Sequence, residues 1–424
     1  MKKKSATFFN NSIPHDLLIE TILIRLPVKS LIRFKSVCKL WLSSIQDPYF
    51  IDLHYAYSYQ HRRRFLLTYS RDQRVWANYR YHAVLVDPEG ETAHLFDFFL
   101  FKIVSRYRGL ILYVSHLGHC VVCNPSTKER VILPDLRKDD LQMGTQSEFH
   151  LGYDRRSKVY KVLHLKIMVP NAPYSYDYYC ARCDVVTLGG GGDGGVWREI
   201  DQLPPYHIQS RHVAYVNGVI HWKNRGECPL RPPDEQVLVA FDFADEKFSV
   251  IPLPEYIFAS TEDNMGYSQL LQVVEEGQMA LGDSWNSTNI NTITLWILED
   301  YAKQTWIQKR FDMPLDMQQD MCRFIGVLAN GQVIMRHMRI KPIFCLYYHD
   351  LVKQVSRKVE FTRIPSQAFC PNFQFGSHVT VTQFVESLHS CNGKIDKYPK
   401  GMNFTDDGLG VLLPFMADKI RRLC

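Results

Sequence analysis

The chain has 424 residues, 46% of them hydrophobic and 22% charged, with a formal net charge of +6 and a pI near 8.6. That length and composition allow a large core and suggest two or three domains; the positive charge is spread out apart from Lys2–Lys4 and Arg62–Arg64, short of the footprint of a nucleic-acid binder. No apolar run approaches a membrane span, and the opening MKKKSATFFNNS lacks the apolar core of a signal peptide, so the expectation is a protein of the nucleus or cytoplasm with neither membrane nor nucleic acid as partner.

Residues 1–11 read as a flexible N-terminus, and the pattern turns helical over residues 12–50. Ile19, Ile22, Leu23 and Leu26 fall at helical spacing, and Phe34, Val37, Cys38 and Trp41 repeat it, so two successive helices each present an apolar face. Pro14 stands where the first helix begins, with Ser12 as its cap, and Pro27 ends it, because proline disfavours helical geometry in the residue before it. A bundle of about 40 residues buries too little apolar surface to be very stable alone. Exposed apolar side chains on it are best explained by docking to another surface, and no group in the segment is arranged for chemistry.

The string itself is specific: Ile13-Pro14, Asp16-Leu17, Ile22-Leu23, Arg25-Leu26-Pro27-Val28, Lys29-Ser30-Leu31, Phe34, Val37-Cys38-Lys39, Trp41, Pro48 and Phe50. It resembles the F-box, by which substrate receptors join SCF-type cullin-RING ubiquitin ligases. Ile13 stands where the family usually has leucine, a volume-conserving change. The resemblance implies that Ile13, Pro14, Leu17, Leu26, Pro27, Leu31, Val37 and Lys39 meet a Skp-family adaptor, and through it cullin and RING subunits. It also implies that Cys38 and Trp41 are shared between core and interface.

Residues 51–64 read as a linker. From Phe65 to the end, short runs rich in valine, isoleucine, leucine and aromatics are broken every dozen or so residues by turn signals, the pattern of consecutive antiparallel strands. One turn class follows a strand with Asp or Asn and a polar quartet, at Asp87, Asn124, Asp242, Asp300 and Asp350. The other is tighter, at Asp154, Asn217-Gly218, Glu276-Gly277 and Asn330-Gly331; Asn-Gly accepts the positive φ of a type I′ turn. The second series advances by 63, 59 and 54 residues and the first, from Asp242, by 58 and 50. Two turns per period give about four strands per unit, so residues 65–424 are predicted to form an all-β, propeller-like domain of about six kelch-like blades. The late run HVTVTQFVESL at 378–388 is placed to close the ring by pairing with the domain's first strand.

Several motifs invite a chemical reading and fail it. Eleven dispersed cysteines fit a reducing compartment. Of the pairs Cys120/Cys123 and Cys180/Cys183, the first lies in a strand, where residues three apart leave opposite faces, so free thiols and no metal are expected. The glycine-rich run at 189–195 has no Lys-Ser/Thr after it and precedes VWREI, a strand rather than the helix a phosphate loop needs; it reads as a hairpin loop. His164, His212 and His221 are scattered in strands, and no nucleophile elbow occurs. Trp197, Trp222, Trp296 and Trp306 read as core. No cofactor and no catalytic residue are expected.

The segments RGLILYVSHLGHCVVCNPSTKERVILP (108–134), LGYDRRSKVYKVLHL (151–165), VVTLGG (185–190) with WREI from Trp197, VNGVIHW (216–222) and LVAFDFADEKFSVIPLP (238–254) resemble, in order, the F-box-associated domain of plant F-box proteins of the TLGG/WR type. The resemblance implies a non-catalytic receptor whose β domain recruits a protein target for ubiquitination and proteasomal degradation. The family supplies no residue-level code for the substrate surface. Two alternatives stand beside it: an F-box scaffold working outside any ligase, and a propeller that binds a small ligand or glycan.

Overall fold

The computed structural model describes residues 18–391 apart from 71–79, 87–91, 100, 116–118, 137–144, 169–178, 190–194, 207, 225–236, 255–256, 258–267, 273–278, 284–291, 313–321, 328–330, 338–343 and 362–379. The expected flexible N-terminus, with Ile13, Pro14 and Leu17, lies outside the described residues.

The N-terminal module begins with a π-helical turn at Leu18–Ile22 and a 3-10 turn at Leu23–Arg25. Three α-helices follow: α1 (Val28–Phe34), α2 (Lys39–Gln46) and α3 (Pro48–His61). This corrects the expectation of two helices. Cys38 is extended (φ −159°, ψ 165°), so Phe34 and Trp41 belong to different helices and meet ring against ring, 4.8 Å apart. It also corrects the linker at 51–64, most of which is α3. Pro48 opens that helix and the Asp47 carboxylate caps it by accepting from the Tyr49 N–H, as proline and aspartate do at helix starts. Its buried stripe is Phe50, His54 and Ser58, helical spacing carried mostly by polar side chains. Burial holds the His54 imidazole down to about 4, so it is neutral, and its Nε2–H donates to the Leu26 carbonyl at 2.9 Å. Leu23, Val28, Leu31, Ile45 and Phe50 make the core of the module, joined by Leu388 from the far end of the chain.

Among the described residues six four-stranded antiparallel sheets follow. The first holds β1 (Arg64–Ser70), β2 (Arg80–Val86) and β3 (Thr92–Phe99). The second holds β4 (Phe101–Tyr107), β5 (Leu110–Ser115), β6 (Cys120–Asn124) and β7 (Glu129–Ile132), and the third β8 (Thr145–Asp154), β9 (Val159–Met168), β10 (Tyr179–Thr187) and β11 (Arg198–Ile200). The fourth holds β12 (Ile208–Val216), β13 (Val219–Asn224), β14 (Val237–Asp242) and β15 (Lys247–Pro252). The fifth holds β16 (Ser268–Gln272), β17 (Met279–Asp283), β18 (Thr292–Asp300) and β19 (Thr305–Asp312). The sixth holds β20 (Cys322–Val327), β21 (Gln332–His337), β22 (Phe344–Asp350) and β23 (Val355–Phe361). The last strand, β24 (Thr380–Phe384), returns to pair with β1, Leu66 opposite Thr382, so the run at 378–388 does join the two ends of the domain.

From the second sheet to the sixth, each packs its face on the next. Leu112 and Val122 of the second sheet meet Leu151 and Val162 of the third, and Leu165 and Cys183 of the third meet Trp222 and Phe241 of the fourth. Separate clusters join the fourth to the fifth and the fifth to the sixth. Ile334 and Tyr348 of the sixth then meet Phe65 and Val381 of the first. A row of sheets whose last member packs on its first is a propeller arrangement. The inner strands are tied as well: the Ser105 hydroxyl on β4 accepts from the Leu151 N–H on β8 and shares a hydrogen bond with the Tyr215 hydroxyl on β12, each at 2.9 Å.

The tight turns gather at one end of the sheets. Asn217 and Gly218 have φ of 55° and 80° and Arg108 and Gly109 of 49° and 81°, both pairs forming the two-residue connection with two positive φ values. In the longer turns the Asx side chain accepts from the N–H groups two and three residues on: Asn124, Asp154, Asp242, Asp300 and Asp350 all do so. Each ends on a residue of positive φ, Lys128, Lys158, Glu246, Gln304 and Gln354. The turn at Asp154 therefore belongs with this class and not with Asn-Gly, which corrects its assignment to the tighter series. Its place still fits that spacing, because β8–β9 and β12–β13 are corresponding hairpins. The turns expected at Asp87 and Glu276-Gly277 lie outside the described residues, as does Asn330.

Asp154 also anchors two sheets to one another. Its carboxylate is 2.9 Å from Lys161 Nζ, which donates to the Phe243 carbonyl (2.8 Å) and Glu246 (3.0 Å) of the fourth sheet. Burial pushes the Asp154 carboxyl up, but hydrogen bonds from Ser157 and Lys161 and from the Ser157 and Arg156 N–H groups outweigh it and hold it near 2, below the ordinary 3.8. A depressed carboxylate contributes stability above its unfolded value and loses it as pH falls through the folded one. The difference in urea midpoint between wild type and Asp154→Asn should therefore be full above 3.8 and shrink toward about 2. A difference independent of pH over that range would exclude the carboxylate charge as its source.

Candidate functional site

The helical module closes its own core and still leaves apolar side chains in water. Val37 is 60% exposed and Leu40 52%, with Ile22, Ile32, Leu42 and Tyr49 also exposed. Several of them surround the break between α1 and α2. Of the residues predicted for this face, Pro27, Val37, Cys38 and Lys39 are exposed, while Leu26 and Trp41 are half-buried against the core. Cys38 is thus surface alone rather than shared. Leu31 is corrected: it is fully buried beside Leu23, Val28 and Phe50, because the α1 stripe that starts at Val28 points it inward. Leu40 and Leu42 were not anticipated. Their signal is an apolar pair lying off the α2 stripe of Trp41 and Ile45, where a self-contained helix carries polar residues.

The module is seated on the β domain by the segment after β24. The Val28 N–H and Arg64 donate to the two Glu386 carboxylate oxygens at 3.3 and 2.7 Å, Leu388 enters the helical core and Cys391 the core between the second and third sheets. Asn124 Nδ2 donates to the Ser387 and His389 carbonyls, both at 2.8 Å. The β4–β5 turn leaves room for this strap: a methyl group on Gly109 would lie 2.3 Å from Ser387 Cβ and 2.9 Å from the Val385 carbonyl oxygen. Arg62–Arg64, the short basic run, is part of the seat. Arg62 donates to the Ile24 carbonyl and the Ser58 hydroxyl, Arg63 is buried and Arg64 pairs with Glu386.

Within the seat, Asp52, His389 and Ser387 stand in the order of a hydrolytic triad. Asp52 Oδ1 is 3.1 Å from His389 Nε2, and His389 Nδ1 is 2.5 Å from Ser387 Oγ. The arrangement is structural. Ser387 is fully buried, and its Oγ already accepts from the His389 N–H at 3.0 Å, so no substrate reaches it. Burial lowers the His389 pKa against the pull of Asp52, leaving a neutral imidazole that accepts from the hydroxyl and donates to the carboxylate. Asp52 is held below its usual range by that bond first and then, against burial, by Arg108, whose NH2 donates to it at 2.6 Å.

The remaining candidates carry packing. His164 is enclosed, with Nδ1 3.2 Å from Asp184 and Nε2 3.0 Å from the Ser147 hydroxyl. His221, held down to about 4 by burial, contacts the Tyr301 hydroxyl at 2.8 Å; the His212 side chain lies outside the described residues. Trp222, Trp296 and Trp306 are buried, and Trp197 is half-buried with its Nε1 donating to the Pro134 carbonyl. Most of the glycine run, 190–194, lies outside the described residues, and the strand that follows it is β11. Among the described residues no three His, Cys, Asp or Glu side chains are grouped to hold a metal ion, and no helix is long and apolar enough to cross a membrane.

Comparison with known proteins agrees with this division of the chain. Residues 11–53 match the F-box domain family, and residues 59–387 match the F-box associated beta propeller domain family. The chain is 28% identical to F-box protein At1g30790 of Arabidopsis thaliana over 377 residues, 81% of this chain and 88% of that one. It is 26% identical to F-box/kelch-repeat protein At4g19930 of the same plant, covering 83% of this chain and 86% of the relative. Putative F-box protein At1g30920, also from Arabidopsis thaliana, is 28% identical, covering 80% and 84%.

Proposed function

Because the chain belongs to the F-box proteins that carry an F-box associated β-propeller domain, we propose that it is the substrate-recognition subunit of an SCF-type cullin-RING ubiquitin ligase. The helical module takes a Skp-family adaptor and, through it, cullin and RING subunits. The β domain, read as six blades of kelch-like repeat length, holds a protein target so that a separate conjugating enzyme reaches its lysines. The chain contributes proximity and no chemistry of its own, and it works in the nucleus or cytoplasm.

The observation that carries this reading is the exposed group Pro27, Val37, Cys38, Lys39 and Leu40 on a module whose core is already filled. An apolar group left out of a finished core is a docking surface. Leu26 and Trp41 border it and Leu31 supports it from beneath; Ile13, Pro14 and Leu17 join it by resemblance alone. The target is assigned to the opposite end of the β domain. The helical module and the tight turns share one end, where Arg108-Gly109 and Asn217-Gly218 suffice to connect strands. At the other end twelve residues of sequence separate β13 from β14 and eighteen separate β23 from β24, and binding concentrates in connections carried on a rigid frame.

Affinity capture of the full chain under proteasome inhibition tests both halves. Adaptor and cullin should be retained together with a protein that accumulates only when the proteasome is blocked. Capture without adaptor or cullin would overturn the ligase reading, and a retained protein whose level rises with that of the chain would favour the scaffold instead.

A further inference from the structure

The two Cys-x-x-Cys pairs are handled differently by their strands. In β6 the ladder to β5 is unbroken, with Cys120 opposite Val114 and Cys123 opposite Ile111, so the two side chains leave opposite faces. In β10 the ladder to β9 slips by one residue. Cys180 is opposite Ile167, Arg182 opposite Lys166 and Cys183 opposite Leu165, leaving Ala181 as the extra residue of a bulge. Ile167 and Leu165 are two apart and share one face of β9. The bulge therefore brings Cys180 and Cys183 to one face as well, although they are three apart in sequence. Their sulfurs lie 3.5 Å apart, and both are free thiols. Cys183 is fully buried among Leu165, Ile167 and Ile200, whereas Cys180 is half-buried at the edge of that cluster, next to Tyr179, which is 56% exposed.

We propose that Cys180 and Cys183 form a reversible dithiol–disulfide site that reacts with small disulfides of the glutathione class. The accessible sulfur and the buried one have separate tasks. Cys180, as thiolate, attacks one sulfur of the oxidised disulfide, forming a mixed disulfide and releasing one small thiolate, which takes up a proton. Cys183 then loses its proton to solvent and attacks Cys180 Sγ, releasing the second small thiol. Two protein thiols are oxidised and one disulfide is reduced to two thiols, so atoms and electrons balance. The sulfurs need approach by only about 1.5 Å to reach the bonding distance of about 2.05 Å. The hydrogen bond with Cys180, and then burial, raise the Cys183 thiol in the reduced pair; burial persists in the mixed disulfide, so ring closure accelerates as pH rises. The bond would fix the bulge at the end of β10 remote from the helical module. The site does not depend on the ligase reading.

Arg182, between the two cysteines, makes the test direct. Trypsin cleaves after Arg182, so Cys180 leaves in the peptide 167–182 and Cys183 in 183–198. The full reduced chain is incubated with glutathione disulfide, its remaining thiols are blocked under denaturing conditions, and the digest is analysed by mass spectrometry. The expected result is a disulfide-linked pair of these two peptides that dithiothreitol separates, and in Cys183→Ser an arrest at glutathionylated Cys180. Cys180→Ser, a change at the half-buried position, should give neither product. Glutathione adducts in the wild type without the linked pair, or linkage of either peptide to another cysteine in preference, would overturn the proposal.

Discussion

Leu40→Asp is expected to abolish adaptor binding while the chain stays folded. The side chain is 52% exposed, and the residue's carbonyl, which accepts from the Ser43 and Ser44 hydroxyls at 2.9 and 2.8 Å, survives the change. Covering a leucine at an interface is worth about 1.5–3 kcal/mol, and a carboxylate forced into the same contact adds a desolvation cost. The sum is at least about 3 kcal/mol, a loss of more than about 100-fold in affinity. Leu31→Ala makes the contrast: at a fully buried position it should remove about 2–5 kcal/mol from the module itself, so binding and helical signal decline together. Leu26→Asp mixes the two effects, because Leu26 is half-buried against the core. Titration calorimetry with a recombinant adaptor, beside circular dichroism of each variant, separates them, and wild-type affinity in Leu40→Asp would remove that residue from the docking surface.

The contrast between Leu31 and Leu40 shows what the sequence could carry. Spacing identifies apolar residues on a helix but not which of them the module keeps for itself, since that depends on where α1 stops. It ends at Phe34, and extended Cys38 then opens α2, a break that neither glycine nor proline marks. Helix α3 escaped for a related reason: its buried stripe runs through His54 and Ser58, which read as solvent-facing until the Leu26 carbonyl and Arg62 are seen to satisfy them. Local chemistry was read more surely. Asn217-Gly218 adopts the two positive φ values its composition demands, and the Asx turns recur because each needs only its own four residues. The bulge at Ala181 and the strap from Val385 to Cys391 have no local signature. The strap's partners Asn124, Arg64 and Asp52 lie 263, 322 and 337 residues away in sequence, and pairing over such distances is fixed only by the closed ring.

The strap does leave one trace, and it supplies the second large effect. Asp154, Asp242, Asp300 and Asp350 hold their turns with a carboxylate, but position 124 has asparagine. A turn needs an acceptor only, and Asn124 Oδ1 provides it to the Ser126 and Thr127 N–H groups. Its Nδ2 has the further task of donating to the Ser387 and His389 carbonyls, which no carboxylate performs. Asn124→Asp, nearly isosteric and fully buried, should therefore keep its turn and lose the strap: two carbonyls go without a donor and face a charged oxygen, at a cost of about 2–4 kcal/mol. Burial raises the pKa of the new carboxyl, so the penalty is full above that raised value and eases as pH falls and the group becomes neutral. Asp242→Asn, the reverse change in a turn whose Oδ1 likewise accepts two N–H groups but which meets no strap, should alter stability by less than about 0.5 kcal/mol. Urea unfolding of both variants at neutral and mildly acidic pH decides the matter. Equal, small effects at the two positions would mean that the strap is not held by Asn124, and the helical module would then owe its seat to Glu386, Leu388 and the contacts of Asp52 with His389 and Arg108.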